Sequence, residues 1–515
     1  MLVHPESNSL LLRVKDPSII YALIPKCKFI DIQGHNLAVR HGIDEVKVLR
    51  NMGIEAPSPI LHYYKWPGRY APFAHQKDTS AMLTLNRRAF VLNETGTGKS
   101  KSALWAADYL MKTGVAHKAL IVAPLSTLER VWMEEVFSTL MHRNAVVVHG
   151  SKERRIQKLE ADVDFYIINH DGLAVMKKEL LARKDIDLII CDEFAAYRNG
   201  STSKYEVLED ILNKRMMFWG MTATPCPNAP TDAWALTKLI SPDRVPPHFG
   251  SFKRDTMLQV STYKWVPKQE AYDIAFNAMQ PAVRYRKADC LDLPPVVTEE
   301  RTCEITPEQK KAYDRMRIDM VANANAGVQI SAVNAADQIS KLRQILCGAV
   351  RDGTGEYIEI PHGPRLDVLL ECIQEAAAKV IVVVPFKGIL RVLEREVAQH
   401  YTCAVLNGDV SINDRNKIIT AFKADKDPHV LLCHPQVMAH GLNLTEADTC
   451  IFYAPIYSND QFQQVVERFN RPGQTRKMTV IRIGGMPLEW EIYKMLDDKQ
   501  DDQSTILDMY KRIVS

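Results

Sequence analysis

The 515-residue sequence lacks three features that would assign it to a simple class at once. Its ten cysteines never lie within four residues of one another, which argues against a zinc knuckle or ribbon. It contains no run of 18 apolar residues, so we expect no membrane-spanning helix. Neither sign of charge dominates, because 65 basic and 62 acidic residues leave a net charge of +3, which excludes a histone-like polycation.

The composition is that of a globular protein. Hydrophobic residues make up 46% of the chain and charged residues 25%, which excludes a disordered chain. The N-terminus, MLVHPESNSLLLRVKD, lacks the basic and apolar regions of a signal peptide, so a reducing cytosol fits the cysteine pattern best. A nucleic-acid binder stays possible, since a nearly balanced total can conceal a basic stripe on one face.

Two series of short aliphatic segments alternate with amphipathic helical segments. Aliphatic segments without polar alternation are typical of strands buried on both faces, as in parallel sheets covered by helices. We therefore predict an α/β fold with two tandem lobes, a helical bridge and a small α+β N-terminal module. The predicted strands are 89–93, 119–124, 145–149, 165–169, 187–193 and 216–222 in the first series, and 380–385, 403–408, 429–434, 449–454 and 478–483 in the second.

Shifts in composition and Pro-rich linkers divide the chain into five predicted parts. They are an N-terminal module (1–66), a nucleotide-binding lobe (67–245), a helical bridge (246–365), a second lobe (366–500) and a C-terminal tail (501–515).

The strongest motif is NETGTGKS, residues 93–100, which follows a predicted strand and opens a predicted helix. In a phosphate loop, glycines let backbone N–H groups close around phosphates at a helix N-terminus. Lys99 would reach the β and γ phosphates, and the Ser100 hydroxyl would bind Mg²⁺. The alternative is a Gly-rich turn with a surface lysine, and Asn93 stands where the strict pattern has Gly. The predicted nucleotide-binding residues here are Thr95, Gly96, Thr97, Gly98, Lys99 and Ser100.

An acidic pair ends the later strand LIICDE. We expect Asp192 to hold Mg²⁺ through water and Glu193 to orient and deprotonate the attacking water. The alternative is a surface acidic pair, which is common in isolation. The phosphate loop about 95 residues earlier favours the catalytic interpretation.

The order NETGTGKS, IVAPLSTLERVW, DEFA and MTATP resembles the first lobe of helicase superfamily two. The resemblance implies that MTATP, residues 221–225, couples the ATP state to nucleic acid through Thr222 and Thr224. It also implies that Gln76, in a segment that matches the glutamine motif, contacts the adenine edge of ATP.

The second series narrows the resemblance. QVVERFNRPGQ (464–474) is similar to the Q-x-x-D-R-x-x-R-x-G-Q pattern of Swi/Snf-type ATPases, and HGLNLTEAD (440–448) is similar to their fifth motif. Segments 281–295 and 339–348 resemble the connecting segment of that family. The resemblance implies RecA-like lobes. It also implies nucleotide contacts by Gly441 and Asn443, and catalytic roles for Arg468, Arg471 and Gln474, with both arginines on the γ phosphate. The alternative for the arginines is a solvated helix face.

The chain departs from the family pattern in several places. Ala195 replaces the usual His of the acidic box, and Asn93 replaces the usual Asp. Gln436 and Ala439 alter the start of the fifth motif. Arg198 and Asn199 match the family's Lys-Asn pair, which would contact the tracked strand.

The resemblance implies an ATP-driven translocase that uses ATP and Mg²⁺ and remodels duplex or branched DNA by fork remodelling, annealing or branch migration. A strand-unwinding DNA or RNA helicase is the enzymatic alternative, with single-stranded DNA or RNA as partner. A nucleotide-gated nucleic-acid-binding scaffold is the non-enzymatic one. We expect a cytoplasmic monomer of bacterial or phage origin, without a membrane partner, that acts in replication, repair or recombination.

Residues 1–66 leave two interpretations open. Their pattern weakly resembles the fork-recognition modules of annealing helicases, and Tyr63, Tyr64, Trp66 and Tyr70 lie near basic residues, as in base-stacking surfaces. The same cluster is equally typical of hydrophobic packing at a domain junction.

Overall fold

The computed structural model describes residues 1–212, 216–226, 229–261, 265–290, 293–325, 332–351, 356–424, 426–438, 442–471, 473–498 and 509. The chain divides into two compact units, Met1–Leu291 and Asp292–Ser515. Within the described ranges, no helix is both long enough and apolar enough to cross a membrane.

The first unit opens with a small antiparallel sheet and helices, which confirms the α+β prediction for this module. The strand order is β1-β2-β4-β3. Helix α1 begins with Pro in its first turn, and the Asp16 carboxylate accepts a hydrogen bond from Ser18 N at 3.0 Å. The elements are β1 (Leu2–His4), β2 (Ser9–Leu12), α1 (Pro17–Leu23), β3 (Lys28–Ile32), β4 (His35–Arg40), α2 (Ile43–Asn51) and α3 (Ile60–Tyr63).

A parallel sheet forms the centre of the first unit. Over the described residues, its seven strands follow the order β13-β5-β10-β9-β6-β8-β7. They are β5 (Arg88–Val91), β6 (Lys118–Ala123), β7 (Ala145–Val147), β8 (Phe165–Asn169), β9 (Ile186–Cys191), β10 (Met217–Met221) and β13 (Ala282–Val283). A separate hairpin joins β11 (Met257–Gln259) and β12 (Trp265–Pro267).

Helices complete the first unit. The helices are α4 (Ala74–Leu85), α5 (Lys99–Lys112), α6 (Glu134–Thr139), α7 (Lys152–Glu160), α8 (Gly172–Val175), α9 (Lys177–Ala182), α10 (Ser203–Ile211), α11 (Ala233–Ile240), α12 (Phe249–Thr256), α13 (Ala271–Ala278) and α14 (Lys287–Cys290).

Strand β5 shows why the aliphatic segments form this sheet. Successive side chains of a strand point to opposite faces. Ala89 and Val91 pack into one buried cluster, and Phe90 and Leu92 pack into another. Because both faces are buried, polar alternation would place a polar side chain in a core.

The second unit contains its own parallel sheet, with described strands in the order β14-β21-β20-β17-β19-β18. These are β14 (Val296–Thr302), β17 (Lys379–Val383), β18 (Cys403–Leu406), β19 (Val430–Cys433), β20 (Ala447–Phe452) and β21 (Met478–Gly484), and β15 (Ala349–Arg351) pairs with β16 (Tyr357–Glu359). The helices are α15 (Pro307–Asn325), α16 (Ala332–Cys347), α17 (Gly363–Glu375), α18 (Lys387–Val397), α19 (Ile412–Ala424), α20 (Pro435–Met438), α21 (Asn459–Val466) and α22 (Pro487–Asp497).

Two parallel sheets flanked by helices confirm the predicted fold class, and every predicted aliphatic segment overlaps an observed strand. The predicted bridge contributes strands as well as helices. Its β13 pairs with β5 in the first sheet, and its β14 pairs with β21 in the second. The five-part division of the chain stays a prediction.

Candidate active site

Three neighbouring strands of the first sheet carry the predicted ATP motifs at their carboxyl ends. Strand β10 lies between β5 and β9 and pairs in parallel with both. The chain leaves β5 into the phosphate loop, β9 into Asp192 and β10 into Thr222. Since parallel strands end at the same edge of a sheet, the fold brings the three motifs together. Thr222 N continues the ladder by donating to Val91 O at 3.0 Å.

The phosphate loop joins β5 to the N-terminus of the 14-residue helix α5. Gly96 and Gly98 both have φ of +85°, in the left-handed region that favours glycine. Lys99 is the first residue of the helix, and its Nζ donates to Asn93 O at 2.8 Å. The Thr97 hydroxyl donates to Glu94 O at 2.7 Å. Ser100 lies in the first turn of the helix, whose N–H groups have no acceptor within the helix.

The glutamine motif contacts this loop directly. Gln76 Nε2 donates to Thr97 O at 3.0 Å, and Gln76 Oε1 accepts from Phe73 N at 3.0 Å. His75 Nε2 also lies 2.8 Å from Thr97 O. A Cβ at Gly98 would displace the Gln76 amide, and the φ of +85° also favours glycine there. The predicted adenine contact of Gln76 stays a prediction.

The acidic pair sits at a strained turn after β9. Asp192 Oδ2 accepts from Trp132 Nε1 at 3.1 Å, and Asp192 Oδ1 accepts from Glu193 N at 3.1 Å. Glu193 has φ of +49°, a left-handed conformation that costs a non-glycine residue about 1–3 kcal/mol. Such strain is concentrated at functional sites. The turn leaves Glu193 exposed while the preceding Cys191 is buried.

The residues predicted to couple to nucleic acid lie on the same unit. Thr222 is buried, and its hydroxyl accepts from Thr224 N at 3.3 Å. Arg198 donates from Nη1 to Ala195 O at 3.1 Å, and the Asn199 side chain accepts from Ser201 N at 3.1 Å. Arg198 and Asn199 line a cavity of about 810 Å³, whose wall includes two aromatic side chains that sequence reasoning missed, Trp234 and Phe249.

Sequence reasoning also missed two side chains of the loop itself. The Asn93 side chain donates from Nδ2 to Thr79 Oγ1 at 3.0 Å and accepts from Tyr285 N at 3.0 Å. The Glu94 carboxylate accepts from Lys287 N at 2.8 Å. The departure of Asn93 from the family pattern was the available signal, but Tyr285 lies 192 positions from Asn93, and Lys287 lies 193 positions from Glu94.

The second unit holds the remaining predicted residues. Arg468 is buried, with 5% of its surface exposed, and Arg471 donates from Nε to Glu467 O at 2.9 Å. Gln474 donates from Nε2 to Ala447 O at 2.8 Å and to Thr445 O at 3.2 Å. Asn443 is exposed. Gly441 and Ala439 lie outside the described residues.

Two residues of the aromatic cluster at the end of the N-terminal module, Tyr64 and Trp66, pack against α5. Tyr64 is 8% exposed and donates from its hydroxyl to Asp108 Oδ2 at 2.6 Å. Trp66 packs edge-on against Trp105, with ring centroids 5.7 Å apart. Tyr70 differs, because 60% of its surface is exposed. The contacts of Tyr64 and Trp66 are those of a packed junction within the first unit.

Models of two known protein families match most of the part of the chain that contains the motifs. The SNF2-related domain matches residues 73–349, more than half of the sequence, and the helicase conserved C-terminal domain matches residues 364–473. The chain belongs to the SNF2-related family. This membership confirms the resemblance that the order of the motifs indicates.

Curated relatives of this SNF2-related chain are distant in sequence and much longer. An uncharacterized ATP-dependent helicase of Mycoplasma genitalium is 23% identical over 417 residues, which cover 79% of this chain and 39% of the relative. The ISWI chromatin-remodeling complex ATPase of Saccharomyces cerevisiae is 24% identical over 427 residues, which cover 78% and 37%. The chain thus spans about two fifths of the length of these relatives.

The chain is also similar to a solved structure, the SWI2/SNF2 ATPase core of Sulfolobus solfataricus in complex with dsDNA. It is 20% identical in sequence, and the match covers 86% of this chain and 94% of that one, with a TM-score of 0.42.

The first unit of this SNF2-related chain has the chemistry to hold a nucleotide with Mg²⁺. The two left-handed glycines leave the loop without side chains at its tightest points, and α5 directs its N-terminal N–H groups towards it. The Ser100 hydroxyl and the Asp192 carboxylate are oxygen ligands of the kind that Mg²⁺ prefers. The residues therefore fit the group that the motifs imply.

Proposed function

We propose that the chain is a nucleic-acid-dependent ATPase that translocates on duplex DNA. The observation that carries the proposal is the shared edge of β5, β10 and β9, where the phosphate loop, Thr222 and the acidic pair follow adjacent strands. The names of the relatives, an ATP-dependent helicase and a chromatin-remodeling ATPase, support the same activity.

In the proposed reaction, a water oxygen attacks the γ phosphorus of ATP, and the bond from that phosphorus to the β–γ bridging oxygen breaks. Glu193 orients the water and accepts its proton, and ADP and phosphate leave. Lys99 and the first-turn N–H groups of α5 bind the phosphates. Mg²⁺, held by Ser100 and through water by Asp192, would neutralise phosphate charge when bound. Gln76 recognises the adenine edge.

In the proposal, two arginines of the second unit supply the positive charge that stabilises the transition state. Arg471 and Arg468 would contact the γ phosphate as arginine fingers, and Asn443 and Gly441 would contribute to nucleotide binding. Gln474 is better described as a positioning residue, because its amide bonds the carbonyl oxygens of Thr445 and Ala447. These bonds hold the start of β20 beside the turn that carries the arginines.

Duplex DNA is the proposed substrate, with branched DNA as its most specialised form. Arg198 and Asn199 line the cavity of about 810 Å³, and Thr222 and Thr224 follow β10 at the edge of the sheet where the acidic pair also lies. Contacts mainly to phosphates would make binding nearly independent of sequence and steeply dependent on salt. Remodelling of forks, annealing or branch migration would follow from such movement along the duplex.

The test is ATP turnover of the full chain with duplex, forked and single-stranded DNA and with RNA in parallel. We expect the strongest stimulation by duplex or forked DNA. Stimulation by single strands or RNA alone would instead support the unwinding-helicase alternative. Turnover that no nucleic acid stimulates would contradict the proposal and favour the binding scaffold.

A further inference from the structure

The segment that precedes the second unit in sequence is bonded directly to the phosphate loop. Strand β13 pairs in parallel with β5, and the backbone ladder continues past both strands. Phe90 N donates to Pro281 O at 2.9 Å, Leu92 N to Val283 O at 2.8 Å and Glu94 N to Tyr285 O at 3.0 Å. The ladder therefore reaches the second residue of the loop motif.

Two side chains of the loop return bonds to this segment. Asn93 Oδ1 accepts from Tyr285 N at 3.0 Å, and Glu94 Oε2 accepts from Lys287 N at 2.8 Å. Lys287 begins the short helix α14, so the Glu94 carboxylate satisfies one of the N–H groups that a helix start leaves without a partner. Hydrogen bonds thus run in both directions, since each of the two segments, residues 281–287 and Asn93–Glu94, donates N–H groups to the other.

The Asn93 side chain has a proton to donate where aspartate has none. The Thr79 hydroxyl donates to His75 O at 2.7 Å, and its oxygen accepts from Asn93 Nδ2. A carboxylate at this position could pair with Thr79 only by accepting the hydroxyl proton, and the bond from Thr79 to His75 O would then be lost. Asn93 is 1% exposed, so the contact is closed to water. The departure from the family's usual Asp is therefore matched to Thr79.

The same residue contacts the catalytic lysine. The main-chain oxygen of Asn93 accepts from Lys99 Nζ, while its side chain joins α4 to the segment at Tyr285. Tyr285 is itself fixed to α4, since its hydroxyl donates to Asp78 Oδ2 at 3.1 Å. Burial and the neighbouring Asp78 carboxylate raise the pKa of Tyr285 to about 12, so the hydroxyl keeps its proton at neutral pH.

We propose that Asn93 and Glu94 are positioning residues through which residues 281–287 set the conformation of the phosphate loop for hydrolysis. The proposal rests on the proposed ATPase function. Residues 281–287 are followed closely in the sequence by Asp292, where the second unit begins. The loop conformation, and with it the rate of hydrolysis, would then respond to the position of this segment.

The first test compares Glu94→Ala and Glu94→Gln in the full chain, with Glu209→Ala on the exposed face of α10 as the matched control. Glu94→Ala removes the acceptor for Lys287 N, and we expect kcat to fall about tenfold, the size of one lost charge-assisted hydrogen bond. Glu94→Gln keeps an acceptor oxygen and should recover most of the rate. Equal losses in both variants, or no loss in Glu94→Ala, would overturn the proposal.

Amide hydrogen exchange provides a readout that does not require turnover. In Glu94→Ala we expect faster exchange over residues 93–98 and at Lys287, whose N–H loses its acceptor, with the first-unit strands unchanged. Lys99→Ala should lose hydrolysis without faster exchange at Lys287. Inactive wild-type protein would refute the proposed function alone, while unchanged exchange in Glu94→Ala would refute the positioning role alone.

The second test uses Asn93→Asp, which remains informative if Glu94→Ala folds poorly. We expect a loss of kcat of about tenfold, because the carboxylate would take the Thr79 hydroxyl proton from His75 O and break one hydrogen bond of this network. In the background of Thr79→Ala, which removes the facing oxygen, the same substitution should cost clearly less. Equal costs in both backgrounds would overturn the assigned role of Asn93.

Discussion

Three predicted site residues of the first unit and two of the second lie in different environments. In the first unit, Ser100 and Asp192 are partly accessible and Glu193 is exposed, at the edge where three strands end. In the second unit, Arg468 and Gln474 are 5% and 6% exposed, and Gln474 bonds the backbone on both sides. The first set can meet a ligand with little rearrangement of its side chains, while the second set also maintains the fold around it.

The difference shows that polar residues next to buried strands occur in a motif for two different physical reasons. A polar residue after a buried strand remains accessible because the strand ends at the sheet edge. A polar residue inside a turn between two buried elements must satisfy carbonyl and N–H groups that water cannot reach. Substitutions should therefore separate activity from stability in the first unit and combine them in the second.

The largest expected effect is on turnover from the first unit. Lys99→Ala should abolish hydrolysis, and Glu193→Gln should retain nucleotide binding while losing about 10³-fold or more in kcat, because water activation is lost. Thermal unfolding should change little in either variant. Lys101→Ala, two residues further along α5, is the matched control and should keep normal turnover. Normal turnover in either active-site variant would remove the basis of the ATPase assignment.

The second unit should show a combined effect. Arg471→Ala and Arg468→Ala should each lower kcat by about 10³-fold if both are transition-state fingers. Arg468→Ala should in addition lower the free energy of unfolding by about 1–3 kcal/mol, because its side chain is buried. Steady-state kinetics and denaturant unfolding of the same samples measure both. Two variants with wild-type turnover would identify these arginines as structural.

For Gln474, the expected effect of substitution is on stability and not directly on turnover. Gln474→Ala should lower the free energy of unfolding by about 1–3 kcal/mol, because the carbonyl oxygens of Thr445 and Ala447 lose their donor. Nucleotide affinity should change only as far as the turn relaxes. A variant as stable as the wild type but without turnover would assign Gln474 a direct catalytic role instead.

The smallest effect concerns the junction between the N-terminal module and α5. Burial alone would raise the pKa of Asp108, but hydrogen bonds from Tyr64, Lys112, Arg143 and His142 outweigh it and lower the pKa. A carboxylate with a lowered pKa stabilises the fold above its ordinary value, about 3.9, and this contribution is lost as pH falls through the folded-state value.

Tyr64→Phe tests this junction. It removes the donor to Asp108 and should lower the free energy of unfolding by about 1 kcal/mol at neutral pH. The difference from the wild type should shrink under acid conditions, below about pH 4, as Asp108 becomes protonated. A difference that is constant from pH 7 to pH 3 would show that the Asp108 contact does not contribute. Preference for forked over linear DNA, measured in the same variant, tests whether the module also recognises junctions.

Particular residues show which features of the fold and the site can be predicted from the sequence. Strand β8 was predicted as 165–169 and observed as Phe165–Asn169, because a continuous aliphatic run buried on both faces has few other solutions. The phosphate loop was predictable because its chemistry requires glycines and a lysine at fixed spacing. Trp132 was not, since its hydrogen bond to Asp192 joins residues 60 positions apart. Neither was the opposite environment of Tyr64 and Tyr70, six residues apart in one aromatic cluster.

The sequence by itself determined the two parallel sheets, the order of the motifs and the family, since buried strands and phosphate-binding loops impose local patterns. Only the tertiary structure decided which strands are neighbours, and hence that the phosphate loop, the acidic pair and Thr222 share one edge. It also decided that the Asn93 side chain forms hydrogen bonds with Thr79 and Tyr285. Hydrogen-bond partners depend on distances in space, and residues far apart in the chain become neighbours only when the sheet has formed.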